Sequence, residues 1–297
     1  MNLQPTTTNL KRGAMFMIAA AFAMALVGTS VKWATQGLPS GIVVFFRNLF
    51  GLIVLIPIVT HPGAVSMKTK FLRFHLLRAG FGLCAMYSYF YAINHLALGK
   101  AVMLNFTSPL FIPVIARIWL KEKITPRIIG AVFIGFIGVA FIESHAFREI
   151  AKAGEIAGAV AGLMSAVFAS CALVTLRKLG ATEPATRTVF YFALGGAVMT
   201  AFPLPLVWTM PQGWEQWLPL FLSGALASVA QWLLSKGFAL APAAVAAPVY
   251  YLTVPLAAII GHFAFHDQLD RWSLIGGAMV CAAGIIVSMP ARPSRRG

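Results

Sequence analysis

Few residues of this sequence suit covalent chemistry; those that draw notice suit the binding of a small solute. Tyr87, Tyr91 and Asn94 are spaced four and three apart, which places them on one face of a helix. Tyrosine hydroxyls facing hydrocarbon would be unpaired, so this face is expected to line a cavity. Gln231 must likewise point inward to find a partner, while Ser30 and Trp33 are weaker candidates. A proline inside a helix frees the carbonyl four residues earlier. Pro109 would free that of Asn105, beside Ser108, and Pro255 that of Tyr251, beside Tyr250. Paired broken helices of this kind point to a binding site inside a membrane protein, with Pro109 and Pro255 as helix-breaking hinges. Arg47 lies about two turns into an apolar run, too deep to reach water comfortably. It reads as a gate or the partner of a solute carboxylate, with a structural role as the alternative. Lys32, nearer a run's end, is expected to snorkel to the interface.

Other chemistries lack their groups. There is no HExxH, no pair of acids and no cluster of His and Cys, so neither a catalytic residue nor a metal site nor a cofactor is expected. No Asp or Glu lies in the middle of an apolar run; Glu143 stands at the end of one. Ion-driven carriers usually bury an acid there, so any coupling would fall to His75, His262, backbone carbonyls or the solute itself. Cys84, Cys171 and Cys281 lie in apolar runs and read as small buried hydrophobes. Gly154, Gly158 and Gly162 form two GxxxG steps, suited to close helix packing. No strand precedes them, so they are no dinucleotide fingerprint.

The elements that must position these residues follow from composition. The 297 residues are 59% hydrophobic and 10% charged, with a mean hydropathy of +0.82. Soluble domains carry about 25% charged residues, so a soluble enzyme, a disordered chain and a secreted disulfide scaffold are excluded. Apolar runs of about 20 residues, enough to cross a core about 30 Å thick, fall at 13–36, 40–60, 72–95, 99–119, 125–144, 154–179, 185–209, 215–239, 243–265 and 272–289. Nothing alternates as a membrane β-strand does. The first run is too long for a signal peptide and is expected to be retained. The expected fold is an all-α integral membrane protein of ten transmembrane helices.

The net charge of +15 follows from the loops. Connectors on one side hold sixteen bases (Lys11, Arg12, Lys68, Lys70, Arg73, Arg117, Lys121, Lys123, Arg127, Arg177, Lys178, Arg187, Lys236, Arg292, Arg295 and Arg296). The other side holds four: Lys100, Arg148, Lys152 and Arg271. Positive residues are retained in the cytoplasm, so both termini are expected there and no nucleic acid is implied. Trp119, Trp208, Trp214, Trp217 and Trp272 sit at run ends, as an interfacial belt would.

Shifted by 145 residues, Lys32 meets Arg177, Pro39 meets Pro184 and Gly51 meets Gly196. At 146, Ala101 meets Ala247, Pro109 meets Pro255, Gly130 meets Gly276 and Gly138 meets Gly284. Each half has five runs, an odd number, so the halves must cross in opposite senses. Inverted repeats belong with carriers that rock one half against the other. Ten runs, two halves and the segment Leu120 to Ile142 resemble the drug/metabolite transporter (DMT) superfamily, and within it the EamA-type exporters. In that pattern a fourth helix carries a mid-span proline (Pro109). A loop with Glu follows (Glu122), then a glycine-punctuated fifth helix (Gly130, Gly138). The second half repeats it with Pro255, Gly276 and Gly284, but Gln268 replaces the usual Glu. The aromatic third helix is similar to that of the YddG-like aromatic amino-acid exporters.

The resemblance implies two five-helix repeats, 1–150 and 151–297, about a central cavity. It implies a secondary transporter exporting small amphipathic metabolites, amino acids foremost, in the bacterial inner membrane. The partners expected are a small-molecule substrate and the lipid bilayer, in a monomer or weak homodimer. The alternatives are a membrane scaffold or assembly protein and an intramembrane enzyme.

Overall fold

The computed structural model describes residues 7–95, 104–142, 155–206, 208–266 and 271–288. Among them the chain is helical and contains no strand. The helices are α1 (Thr7–Thr35), α2 (Ser40–Thr60), α3 (Leu72–His95), α4 (Ser108–Trp119), α5 (Pro126–Ile142), α6 (Glu155–Gly180), α7 (Ala185–Ala201), α8 (Gly213–Leu240), α9 (Ala243–Tyr250), α10 (Thr253–Phe265) and α11 (Arg271–Ser288). α1, α2, α6, α8 and the α9–α10 segment are long and apolar enough to cross a membrane, and α4, α5 and α11 are shorter apolar helices. Large apolar side chains cover the outside of the bundle, among them Met15, Phe22, Ile118, Ile156 and Phe263. Water would not tolerate that surface, whereas lipid does. Cys84 and Cys281 lie on it; they are not buried, because an apolar run in a bilayer offers lipid as well as protein to a small thiol.

Proline sets several helix starts, because its fixed φ suits an extended residue leading into a first turn. Pro39 (φ −58°, ψ 141°) precedes α2 and Pro184 (φ −66°, ψ 144°) precedes α7, so the two repeat-related prolines do the same work. Helix ends match too. Among the described residues, the non-glycine residues with positive φ are Lys121 (55°) and His266 (58°), which are 145 apart and follow α4 and α10.

The packing also maps onto itself when the halves are exchanged. α1 packs on α8 as α6 packs on α3, and α2 on α8 as α7 on α3. α2–α7, α5–α11 and α4–α9 pair across the exchange. In α5–α11, a Cβ on Gly138 would stand 2.7 Å from the Gly276 carbonyl, so the helices meet backbone to backbone. Gly162 of α6 similarly admits Leu104; Gly154 of the same motif lies outside the described residues.

Direction follows from contacts at the end of α8. The start of α1 lies there, with Gly13 against Leu240 and Ala241. The end of α6 lies there too, since Arg177 donates to the carbonyls of Phe238 and Ala239. Repeat-related α1 and α6 therefore run in opposite senses. Lys178 lies over the rings of Phe74 and Trp119, and Arg187 donates to the Ser66 carbonyl. The segments around 61–71, 120–127, 177–187 and 236–243 thus gather at one end, called here the basic end. The α11 terminus joins them through Arg127 and the Ile286 carbonyl.

Candidate functional site: an arginine pocket between the halves

The apolar runs break where their prolines fall. The chain turns at Phe106 and Thr107 before α4, and at Tyr251 and Leu252 between α9 and α10. Pro109 sits in the first turn of α4, where a missing N–H costs nothing. The Tyr251 carbonyl is not left free by Pro255: it accepts the Val254 N–H at 3.0 Å, a tighter bond that restores what the proline removes.

Two clusters of polar residues stand between the helices. The first is a cavity of about 20 Å³ lined by Arg47, Asn48, Gly51, Ser228 and Gln231, with Val189, Phe192 and Ala193 from α7. That volume holds about one water, so the site is too small for a solute in this conformation. Arg47 comes from α2 and Gln231 from α8. Gly224 lets these helices meet, for a Cβ there would stand 2.8 Å from the Arg47 carbonyl. Ser228 fastens the contact by donating to the Gly51 carbonyl at 2.9 Å. Arg78 enters from α3, and its Nη2 donates to Gln231 Oε1 at 2.6 Å. Its guanidinium stacks 4.1 Å over the Phe192 ring. Gly82, one turn along α3, leaves the room that ring needs: a Cβ at Gly82 would lie 2.7 Å from it. Tyr250 of α9 interacts electrostatically with both arginines.

Arg47, Gln231 and Tyr250 are thus brought together with Arg78. Only 4% of Arg78 is exposed, and the Nε atoms of both arginines are buried without a hydrogen-bond partner. The ion pairs of the described residues involve neither guanidinium. Sequence reasoning missed Arg78, although the signal was present. Of 23 Lys and Arg, Lys32, Arg47 and Arg78 are the three that lie more than three residues inside a run.

The other residues named from sequence lie elsewhere. Asn105 donates from Nδ2 to Ser165 Oγ at 3.0 Å, and the Ser108 carbonyl accepts from Ser170 at 2.9 Å. Both contacts join α6 to the α4 break. Tyr251 is wholly buried among Val139, Val254 and Val280, its ring against Gly135. Tyr87 and Tyr91 are 44% and 46% exposed on α3, with Tyr91 stacked on His95. The side chain of Asn94 is outside the described residues.

The second cluster fastens the basic end. Arg177 donates from Nε to Glu122 Oε1 at 3.1 Å, and the other oxygen of Glu122 accepts the Ala243 N–H at 2.9 Å. One carboxylate thereby ties the α4–α5 loop, the end of α6 and the start of α9. Nearby, Glu183 accepts from Thr69 at 2.7 Å and from Arg187, while Tyr191 donates to the Met67 carbonyl at 2.9 Å. His75 stacks on Tyr191 and lies 3.9 Å from Glu183. It belongs to this fastening and not to the cavity.

Known proteins share the whole architecture. Residues 11–144 and 156–289 each match the EamA-like transporter family. The pseudopaline exporter of Pseudomonas aeruginosa is 28% identical over 282 residues, covering 94% of this chain and 96% of the exporter. A riboflavin transporter of Brucella anthropi is 26% identical over 91% of this chain and 95% of its own. An S-adenosylmethionine uptake transporter of Rickettsia bellii is 28% identical over 90% and 91%. One crystal structure superposes with a TM-score of 0.81 at 18% identity, covering 95% of this chain and 98% of its own, a likeness of fold. Two matched repeats, apolar helices and a polar pocket agree: the chain is a multi-pass membrane transporter, not an enzyme, and belongs to the EamA-like transporter family.

Proposed function

We propose that this chain exports small amphipathic metabolites, with aromatic or other apolar amino acids favoured, by alternating access about the arginine pocket. The observation that carries this is the pocket itself. Guanidiniums from α2 and α3 meet an amide from α8 and a phenol from α9, so both halves contribute and rocking them would open or close the site. The likeness to a pseudopaline exporter supports export; the riboflavin and S-adenosylmethionine transporters among its relatives show how widely cargo varies on this scaffold. Ten spans in two five-helix repeats, 1–150 and 151–297, account for the exchange-symmetric packing. The gathered bases support a reading in which the basic end and both termini face the cytoplasm, in a bacterial inner membrane.

In this reading the substrate-binding residues are Arg47, Gln231 and Tyr250 together with Arg78. Tyr87, Tyr91, Asn105, Ser108 and Tyr251 would join only when the halves rock. Flux of labelled phenylalanine from purified proteoliposomes, against an inert sugar, tests the proposal. Gln231→Leu should cut flux at least ~10-fold with normal expression, since Arg78 loses its buried acceptor. Flux no faster than from protein-free vesicles would overturn the assignment of zwitterionic amino acids as cargo.

A further inference from the structure

We propose that the cargo enters this pocket as an anion: a small amphipathic molecule with more carboxylates than ammonium groups, gripped by Arg47 and Arg78. The inference rests on the transport reading above and, within amphipathic metabolites, shifts the favoured cargo from zwitterionic amino acids to their net-anionic relatives. Arg47 lines the site and Arg78 reaches it through Gln231, and neither guanidinium has an acid within ion-pair distance among the described residues. Burying an unpaired charge is costly, and a neutral amide and a ring face offset only part of that cost. The protein's described carboxylates are held elsewhere. Glu122 is tied to Arg177 and Glu183 to Arg187, both at the basic end, and Glu215 lies in the first turn of α8. The compensating charge must therefore arrive with the cargo.

Carboxylate is the group that fits. A guanidinium offers a planar fork of donors matched to two oxygens, and Arg47 Nε and Arg78 Nε are donors still unused. An ammonium has no comparable place. Besides Arg47 the polar lining is Asn48, Ser228 and Gln231, with the neutral phenol of Tyr250 within electrostatic range. Asn48 and Ser228 donate to the Val44 and Gly51 carbonyls and Gln231 Oε1 accepts from Arg78, so the acceptors that these side chains offer an ammonium are all neutral. A zwitterion would bring its positive end toward two positive charges with no carboxylate to receive it.

The charge of the cargo also sets the energetics. Whatever charges move within the protein, a completed cycle transfers only the charge of the cargo. An anion leaving a cell that is negative inside moves with the membrane potential, which biases its distribution by roughly 50-fold per unit charge for each 100 mV. Export needs no proton or sodium site, in keeping with the absence of a mid-run acid in the sequence.

A charge series on one aromatic body tests the inference: phenylalanine, N-acetylphenylalanine and N-succinylphenylalanine, which are neutral overall, singly negative and doubly negative. Uptake into proteoliposomes is followed with and without an inside-positive potassium diffusion potential set by valinomycin. The expected result is uptake rising along the series, at least ~10-fold from first to last, with the potential accelerating only the two anions. Arg47→Gln and Arg78→Gln should each flatten the series, with Arg78→Lys restoring part of it. The wild-type series stands without the variants, should either misfold. Phenylalanine moving as fast as the doubly negative compound, or anion uptake indifferent to the potential, overturns the charge inference and leaves transport standing. No movement of any of the three overturns both.

Discussion

Arg177 and Lys32 are 145 residues apart and occupy corresponding places in the two halves, yet they do different work. Arg177 reaches one carboxylate and two carbonyls, at 3.1, 2.7 and 2.9 Å, and so joins α6, α8 and the α4–α5 loop. Lys32, at the opposite end, lies 4.4 Å over the ring of Phe265. A planar fork with several fixed donors holds three segments in register, whereas an ammonium over a ring face is tolerant of sliding. The same repeat position therefore carries a forked fastening at the basic end and, among the contacts of Lys32, a cation–π contact at the other. In an alternating-access cycle one end must part while the other stays shut. The expectation to test is that leaving the present conformation is governed by the basic end, where one fork joins three segments.

Breaking the fastening at the basic end should have the largest effect. Glu122 and Arg177 are 15% and 16% exposed at their side chains, so deleting one partner strands a largely buried charge. Arg177→Ala is expected to cost about 2–4 kcal/mol of closure at the basic end. On a Cys-free background, a cysteine at Ala239 should then react with a water-soluble maleimide at least ~10-fold faster. Arg177→Lys should fall between, because an ammonium cannot serve carboxylate and carbonyls as a fork does. An unchanged labelling rate in Arg177→Ala would show that the fastening does not hold this end shut.

How far the two ends could be read beforehand differs in an instructive way. Pro39 and Pro184 announce their helix starts, because proline dictates its own φ. Lys121 and His266 adopt matching left-handed turns with side chains that announce nothing. The breaks near Pro109 and Pro255 were legible, but not the bond from Val254 to the Tyr251 carbonyl, which depends on how the turn relaxes. Spacing placed Tyr87 and Tyr91 on one face of α3. Which face turns inward is settled by α6 and α7, against which α3 packs, and so by residues far away in sequence. Arg78 was visible as a third buried cation. Its meaning was not, since Gln231 lies 153 residues away.

Weakening the opposite end should do less. Phe265→Leu removes the ring face under Lys32 and keeps an apolar side chain, a loss of about 0.5–2 kcal/mol. Spin labels at the exposed positions Thr35 and Phe263, on α1 and α10, report the separation of this end. The long-distance population should rise about 2- to 30-fold. A shift as large as that from Arg177→Ala at the basic end would refute the proposed inequality.

The smallest effect comes from making the ends alike. Gln268 stands 146 residues after Glu122, so Gln268→Glu supplies the second half with the acid that the first uses against Arg177. Its counterpart would be Lys32. An ion pair near the membrane surface is worth about 0.2–1 kcal/mol and is screened by salt. The closed population of this end, read from the same labels, should therefore grow only about 1.5- to 5-fold at low ionic strength. The gain should vanish near ~1 M salt. Combining Gln268→Glu with Lys32→Gln closes a double-mutant cycle, which isolates the pair from any other effect of the new carboxylate. A gain that survives Lys32→Gln, or that ignores salt, would mean that the acid acts through some other group. The chemical asymmetry between Glu122 and Gln268 would then not be the origin of the difference between the two ends.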